Sequence, residues 1–235
     1  MEYRMRCEVD VHDLDYNGVA RTSAILKYMQ SAAQKQLTEG GLSYDVLRRN
    51  NKAFILSRLR LEVLRPLTAY TPLTAITYPC DSRGYSFLRC YALESDGEIV
   101  ARAISGWALV DTATRGLVRV NDFDLNLPVL PQNGLILGTT KMPSTLAKIG
   151  SYGIHYSDID QNYHMNNTKY PDMYSNFLPL SGRMIRSISI NYQNEAQAGE
   201  KLDVLRAEDC GLFYFRTVRP DGKINSDAQI EICSI

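Results

Sequence analysis

The sequence predicts an α+β chain built from two tandem copies of one unit, each a long helix packed on an antiparallel β-sheet. Three observations lead there. A polar stretch near the N-terminus recurs in the second half, segments of strand and helix period follow in the order strand, helix, run of strands, and turn residues separate the strands closely enough for neighbours to pair antiparallel.

The recurrence fixes the organisation. Residues Asp13 to Met29 align without gaps with Asp158 to Tyr174, so that Asp13 meets Asp158, Asp15 meets Asp160 and Asn17 meets Asn162. The copies differ at two informative positions, Val19 opposite His164 and Arg21 opposite Asn166. One half therefore reads as structural and the other as the bearer of chemistry.

In chain order, residues 3–12 alternate apolar and polar, the period of a half-buried strand. Thr22 or Ser23 is placed to cap a helix with Ala24, Ile25, Tyr28, Met29, Ala32, Ala33 and Leu37 on one face, closed by Gly40-Gly41. A short helix is expected at Tyr44 to Arg49. Strands are then expected over Phe54 to Val63, Leu73 to Tyr78, Tyr85 to Leu93 and Ile99 to Val110, punctuated by Pro66, Pro72, Ser82-Arg-Gly84 and Ser95-Asp-Gly97. Pro128, Pro131, Gly134, Gly138 and Pro143 break any periodicity between 121 and 148. The predicted division is a first unit over 1–125, a linker over 126–149 and a second unit over 150–235. In the second unit a helix around Thr168 to Phe177 precedes strands near Arg186 to Tyr192, Leu202 to Ala207, Gly211 to Val218 and Ala228 to Cys233. This unit is the shorter, and it must pack against the first to cover its sheet.

The polar stretch Tyr156 to Tyr170 gathers Asp158, Asp160, Asn162, His164, Asn166 and Asn167. In an extended segment the alternate positions 158, 160, 162, 164 and 166 would share one face. Two carboxylates, two amides and an imidazole on one face suit hydrolysis, which needs a base, a donor to a developing oxyanion and a carboxylate that fixes a tautomer. A polar loop capping the next helix is the plainer reading of the same residues.

Composition excludes several classes. The 26 basic and 26 acidic residues balance, so no global field points to nucleic acid or an anionic membrane. Five cysteines, odd in number and without CxxC spacing, argue against a disulfide framework or zinc site and for a reducing compartment. No apolar run approaches membrane-spanning length. Asp13 to Gly18 opens like a calcium loop, but Ala24 stands at the twelfth position where a bidentate Glu is required, and Lys169 stands there in the second copy. No metal or cofactor is expected, and the protein is predicted to be cytoplasmic.

Asp160-Gln-Asn-Tyr-His-Met-Asn-Asn-Thr-Lys-Tyr170 resembles the Asp-x-Asn-x-His-x-Asn-Asn-x-Lys-Tyr signature of the acyl-acyl carrier protein (acyl-ACP) thioesterase family, and Ile190-Asn-Tyr-Gln-Asn-Glu195 resembles that family's later strand ending in a functional Glu. The resemblance covers essentially the whole chain. It implies a tandem hotdog fold, an acyl-lining first half and catalytic roles for Asp160, Asn162, His164 and Glu195, with Asn166 and Asn167 supporting them or facing substrate. Ala196 stands where the plant enzymes carry a cysteine, and the plant transit peptide and hydrophobic anchor have no counterpart, which resembles the bacterial branch.

The activity implied is hydrolysis of fatty acyl-ACP to free fatty acid and ACP, ending fatty acid synthesis. Glu195 is expected as general base, or alternatively as nucleophile, with burial raising its pKa. His164 and Asn162 would polarise water or carbonyl, and Asp160 would orient the imidazole. The partner implied is ACP, docked on a basic cluster of Arg48, Arg49 and Lys52 or of Arg183 and Arg186. Competing readings are an acyl-CoA thioesterase and a non-catalytic acyl-binding regulator. A monomer suffices, because two copies already form the pair that single units achieve by dimerising, and a homodimer stays open.

Overall fold

The computed structural model describes residues 1–235. A strand β1 (Tyr3–Glu8) leads into helix α1 (Thr22–Glu39) and the short helix α2 (Tyr44–Arg49). Strands β2 (Lys52–Val63), β3 (Pro72–Arg83), β4 (Ser86–Ser95), β5 (Glu98–Asp111) and the two-residue β6 (Leu117–Val118) follow. The second half contains β7 (Ala147–Gly153), helix α3 (Tyr170–Ser175), β8 (Arg183–Tyr192), β9 (Lys201–Asp209), β10 (Leu212–Val218) and β11 (Ile224–Ser234).

The strands form one antiparallel sheet in the order β1-β3-β4-β5-β2-β8-β11-β10-β9-β7, with β6 appended to β5. Read outward from the centre, both halves follow one plan, since β2, β5, β4, β3, β1 correspond to β8, β11, β10, β9, β7. The duplication seen in the sequence is thus repeated in the topology. The seam is the β2–β8 pair, where Leu59 faces Ile190 and Leu61 faces Ile188 about a central Arg60–Ser189 pair. All four apolar residues are buried, and truncating one such side chain costs about 2–5 kcal/mol.

Helix α1 forms because Ile25, Met29, Ala32 and Ala33 recur at helical spacing, and all four are buried. Gly41, at φ +82°, supplies the left-handed residue that ends it. Neither Thr22 nor Ser23 caps the helix as expected. Arg21 is the cap residue, and it makes no side-chain cap bond. Residues of α1, α3 and both halves of the sheet share a single core cluster of 36 buried side chains, so the second half is covered jointly with the first.

The expected long helix in each half holds only for the first. Helix α3 has 6 residues against 18 in α1. A 3-10 turn over Asn167–Lys169 replaces its first turn, and Leu178-Pro179 bars continuation toward β8, because the residue before proline is driven out of the helical region. Strand β7 begins at Ala147, inside the segment expected to be a linker. The rest of that segment lies as a strap on the outer face of the first half. Leu130 N–H donates to the Pro79 carbonyl at 3.0 Å, and the Asn133 amide donates to the Tyr91 and Ala103 carbonyls at 3.1 and 3.0 Å. No helix is long and apolar enough to cross a membrane.

Candidate active site

The polar stretch is folded back on itself, not extended, so its alternate side chains do not share a face. A short 3-10 turn over Tyr156–Asp158 opens it. Asp158 is buried, and its carboxylate accepts from His155 N–H at 3.0 Å and from the Tyr152 hydroxyl at 3.2 Å. Burial, together with that acid, pushes the Tyr152 phenol up to about 12. Asp158 is therefore an anchor of the loop and not a member of its open face.

Asp160 closes the next turn. Its carboxylate accepts from Asn162 N–H at 2.8 Å, its own N–H donates to the His164 carbonyl at 3.0 Å, and Tyr163 N–H returns to the Asp160 carbonyl at 3.0 Å. Asp160 thus shapes the turn rather than holding the imidazole, contrary to the role expected for it. The turn requires a left-handed residue, and Tyr163 takes φ +64° with its ring largely exposed.

The loop is then stitched to the segment beyond β8. Met165 N–H donates to the Ala196 carbonyl at 2.8 Å, and His164 forms a β-bridge with Gln197. This brings His164 Nε2 to 3.1 Å from Glu195 Oε2. The imidazole is 29% exposed and the Glu195 side chain 52%, so the burial expected for Glu195 is absent. The carboxylate can reach both the imidazole and a water from the open side, an arrangement suited to proton abstraction.

Asn162 turns outward across the molecule, its side-chain oxygen accepting from the Tyr44 hydroxyl of α2 at 2.8 Å. Asn166 caps the turn Asn167–Lys169 by accepting from Thr168 N–H and Oγ1 at 2.9 and 2.8 Å. The Asn167 carbonyl accepts from the hydroxyl of the half-buried Tyr192 at 3.1 Å. Both residues support the loop through these bonds.

The sequence reading missed Tyr44 and Asn225. Asn225 is fully buried, donating to the Asn194 carbonyl at 2.6 Å and to the Tyr170 hydroxyl at 3.0 Å, so it clamps the residue before Glu195 to the start of α3. Burial pushes the Tyr170 phenol up to about 12. Neither partnership has a sequence signal, since each joins segments far apart in the chain.

The basic residues separate. Lys52 pairs with Asp111 at 2.7 Å, and that hydrogen bond holds the Asp111 carboxyl down at about 2. Arg186 donates to the Val63 and Leu64 carbonyls at 3.0 and 2.9 Å across the seam. Arg183 lies at the start of β8, where its carbonyl accepts from Asn17 at 3.1 Å. Arg48 and Arg49 are exposed on α2, the helix that carries Tyr44. Lys52 and Arg186 are thus engaged within the protein, whereas Arg48 and Arg49 stay exposed on the helix of Tyr44, with Arg49 Nε donating to the Asp45 carbonyl at 3.3 Å.

Two family models match this chain, the acyl-ACP thioesterase N-terminal domain over residues 1–125 and the acyl-ACP thioesterase C-terminal domain over residues 143–232. The chain belongs to the acyl-ACP thioesterase family. Among curated members of that family, it is 23% identical over 232 residues to oleoyl-acyl carrier protein thioesterase 2, chloroplastic, of Arabidopsis thaliana, matching 88% of this chain. It is 21% identical over 234 residues to the chloroplastic oleoyl-acyl carrier protein thioesterase of Coriandrum sativum. The chain spans 63% of the length of both relatives. Among solved structures, an acyl-ACP thioesterase of Bacteroides thetaiotaomicron superposes with a TM-score of 0.87 at 18% identity, covering 99% of this chain and 98% of that one. The 12:0-ACP thioesterase of Umbellularia californica gives 0.86 at 18% identity, covering 100% and 98%. At that identity the likeness concerns the fold. In this acyl-ACP thioesterase family chain, the fold includes the continuous sheet and its central seam.

Proposed function

We propose that this chain hydrolyses fatty acyl-ACP thioesters to free fatty acid and ACP, ending chain growth. The observation that carries the reading is the 3.1 Å approach of His164 Nε2 to Glu195 Oε2 inside the stretch that bears the family signature. Glu195 takes a proton from a water bound on its open side, while its other contact holds His164 at 3.1 Å. The water oxygen adds to the thioester carbonyl carbon, and the oxyanion is met by the Asn162 amide and the imidazole. Collapse breaks the carbon–sulfur bond, and the proton held at the Glu195–His164 pair passes to the leaving thiolate. Asp160 serves by shaping the turn that presents Asn162 and His164.

In this reading residues 1–125 line the acyl chain, residues 150–235 carry the catalytic loop, and 126–149 connect them. ACP docks at Arg48 and Arg49. One chain suffices for function, and the setting is the cytoplasm. The names borne by relatives and the family models support acyl-ACP over other thioesters.

The test is thiol release from acyl-ACPs of increasing length, with matched acyl-CoAs alongside and His164→Ala as the blank. Turnover on ACP that disappears in His164→Ala is expected. Turnover mainly on CoA would assign the chain to acyl-CoA hydrolysis, and acyl binding without turnover on either would make it a binding protein.

A further inference from the structure

The frame of the candidate active site occurs twice, hydrogen bond for hydrogen bond. Asp15 N–H donates to the Val19 carbonyl at 2.8 Å as Asp160 N–H does to that of His164, and Ala20 N–H donates to the Leu67 carbonyl at 2.7 Å as Met165 N–H does to that of Ala196. Val19 therefore stands at the place of His164, Pro66 at that of Glu195 and Arg21 at that of Asn166. The copy has lost the base and the imidazole and has gained a cation.

At this place a cavity of about 470 Å³ opens between the halves, its apolar wall including Val19, Ile25 and Leu67 from one side and Leu180 and Met184 from the other. That volume lies within the range of small-molecule sites, about 300–1,000 Å³. Arg21 lines the cavity with its guanidinium held only by a 3.4 Å hydrogen bond to the His12 carbonyl. Two acids share the lining. Asp15 has one carboxylate oxygen engaged by the Asn17 and Val19 N–H groups, and burial raises the pKa of Asp172. Together they disfavour a multiply charged phosphate while leaving Arg21 free for a single carboxylate, the bidentate partner that suits a guanidinium.

We propose that this cavity is a second, non-hydrolytic site that holds a fatty acid, its chain on the apolar wall and its carboxylate on Arg21. The lining alone carries that assignment. That the ligand is the chain's own product rests on the thioesterase reading above.

The test is calorimetric titration of the full chain with dodecanoate, with dodecanol and inorganic phosphate as controls. A dodecanoate event that weakens at least tenfold in Arg21→Gln is expected, while dodecanol binding changes less than twofold between the two proteins and phosphate gives no event. Leu180→Trp, which fills the cavity from the other half, is expected to remove the same event without lowering the thermal midpoint. Thiol release from acyl-ACP is expected to stay within twofold of the parent in Arg21→Gln. Absence of any dodecanoate event that both substitutions weaken overturns the site, and an event left unchanged in both variants belongs to the catalytic acyl path. An intact dodecanoate event in a chain that releases no thiol overturns the hydrolase reading and leaves the site standing.

Discussion

The Tyr44 hydroxyl donates to the Asn162 side-chain oxygen at 2.8 Å, and the bond crosses from one half of the molecule to the other. Asn17, the counterpart of Asn162, reaches across in the same sense. Its amide donates to the Leu180 and Arg183 carbonyls at 2.8 and 3.1 Å and its oxygen accepts from Gly182 N–H at 3.0 Å. Each asparagine thus fastens its turn to the segment that leads into the opposite seam strand. In the first half the whole amide is used for this purpose. In the second, a single hydroxyl takes the oxygen and leaves the Asn162 NH₂ to donate to substrate.

Removing that hydroxyl should therefore impair chemistry more than folding. Tyr44→Phe deletes one neutral hydrogen bond, worth about 0.5–1.5 kcal/mol, and frees the amide to rotate. We expect kcat for acyl-ACP to fall about tenfold with KM within twofold. A KM rise at unchanged kcat would mean that Tyr44 contacts the carrier instead.

Glu195→Gln keeps the shape of the side chain and removes the base. The expected loss in kcat is about 10²–10⁴-fold, the span of general acid–base catalysis. His164→Ala should cost a similar factor. The double substitution should cost little more than either alone, because groups that act as a unit are strongly non-additive. Multiplicative losses would show two independent contributions and would dissolve the pair.

How much of this site was legible in the sequence depends on the range of the interactions. The turn residues were visible because Asp15 and Asp160 act within two residues of themselves, each accepting at 2.8 Å from Asn17 and Asn162 N–H. The duplication was visible because Val19 and His164 sit in alignable strings. The alternating-face reading failed because Asp160 and Tyr163 form a turn, which no two-residue period describes. The second helix lies where it was expected, around Thr168 to Phe177, but its first turn is a 3-10 turn over Asn167–Lys169 and it stops at Ser175, so the expectation of a long helix in each half failed. The meeting of His164 and Glu195 depends on the 2.8 Å bond from Met165 to the Ala196 carbonyl, and Tyr44 and Asn225 act over still longer separations. Periodicity is blind to such contacts.

Arg48 and Arg49 lie on the helix of Tyr44 and form no ion pair that would compete with an acidic partner. If ACP docks there, Arg48→Ala combined with Arg49→Ala should raise KM for acyl-ACP about tenfold at low salt. The difference should shrink as ionic strength rises, because exposed charges more than about 10 Å apart are screened at 0.1 M. KM for acyl-CoA should change less. An equal, salt-insensitive rise for both carriers would point to damage at Tyr44.

Tyr163 occupies φ +64° where Gly18 occupies φ +76° in the first half. A left-handed tyrosine costs about 1–2 kcal/mol, whereas glycine enters that region freely and loses about 0.4–1 kcal/mol through its more flexible unfolded chain. Tyr163→Gly should therefore leave stability unchanged or raise it by up to about 1 kcal/mol. The ring is 82% exposed beside His164, so its removal should appear in KM for acyl-ACP. Denaturant unfolding and steady-state kinetics on the same preparation separate the two effects. A destabilisation beyond about 1 kcal/mol would mean that the exposed ring packs in solution.

Asp172 gives the pH dependence a definite sign. Burial raises its carboxyl pKa in spite of the opposing hydrogen bond from Ser23 and the nearby Lys169 and Arg21 charges. Between the unfolded value near 4 and the raised folded value, the folded chain binds the extra proton. Stability is therefore lost as pH rises through that window. At neutral pH the folded state carries a partly buried charge that the unfolded state solvates freely. Asp172→Asn retains an acceptor for Ser23 and removes the charge. It should raise the thermal midpoint at pH 7, and the gain over the parent should diminish as pH falls through the window. A gain that stays constant with pH would place the effect in packing, and a lower midpoint at pH 7 would show that the Lys169 and Arg21 charges outweigh the burial of the carboxylate.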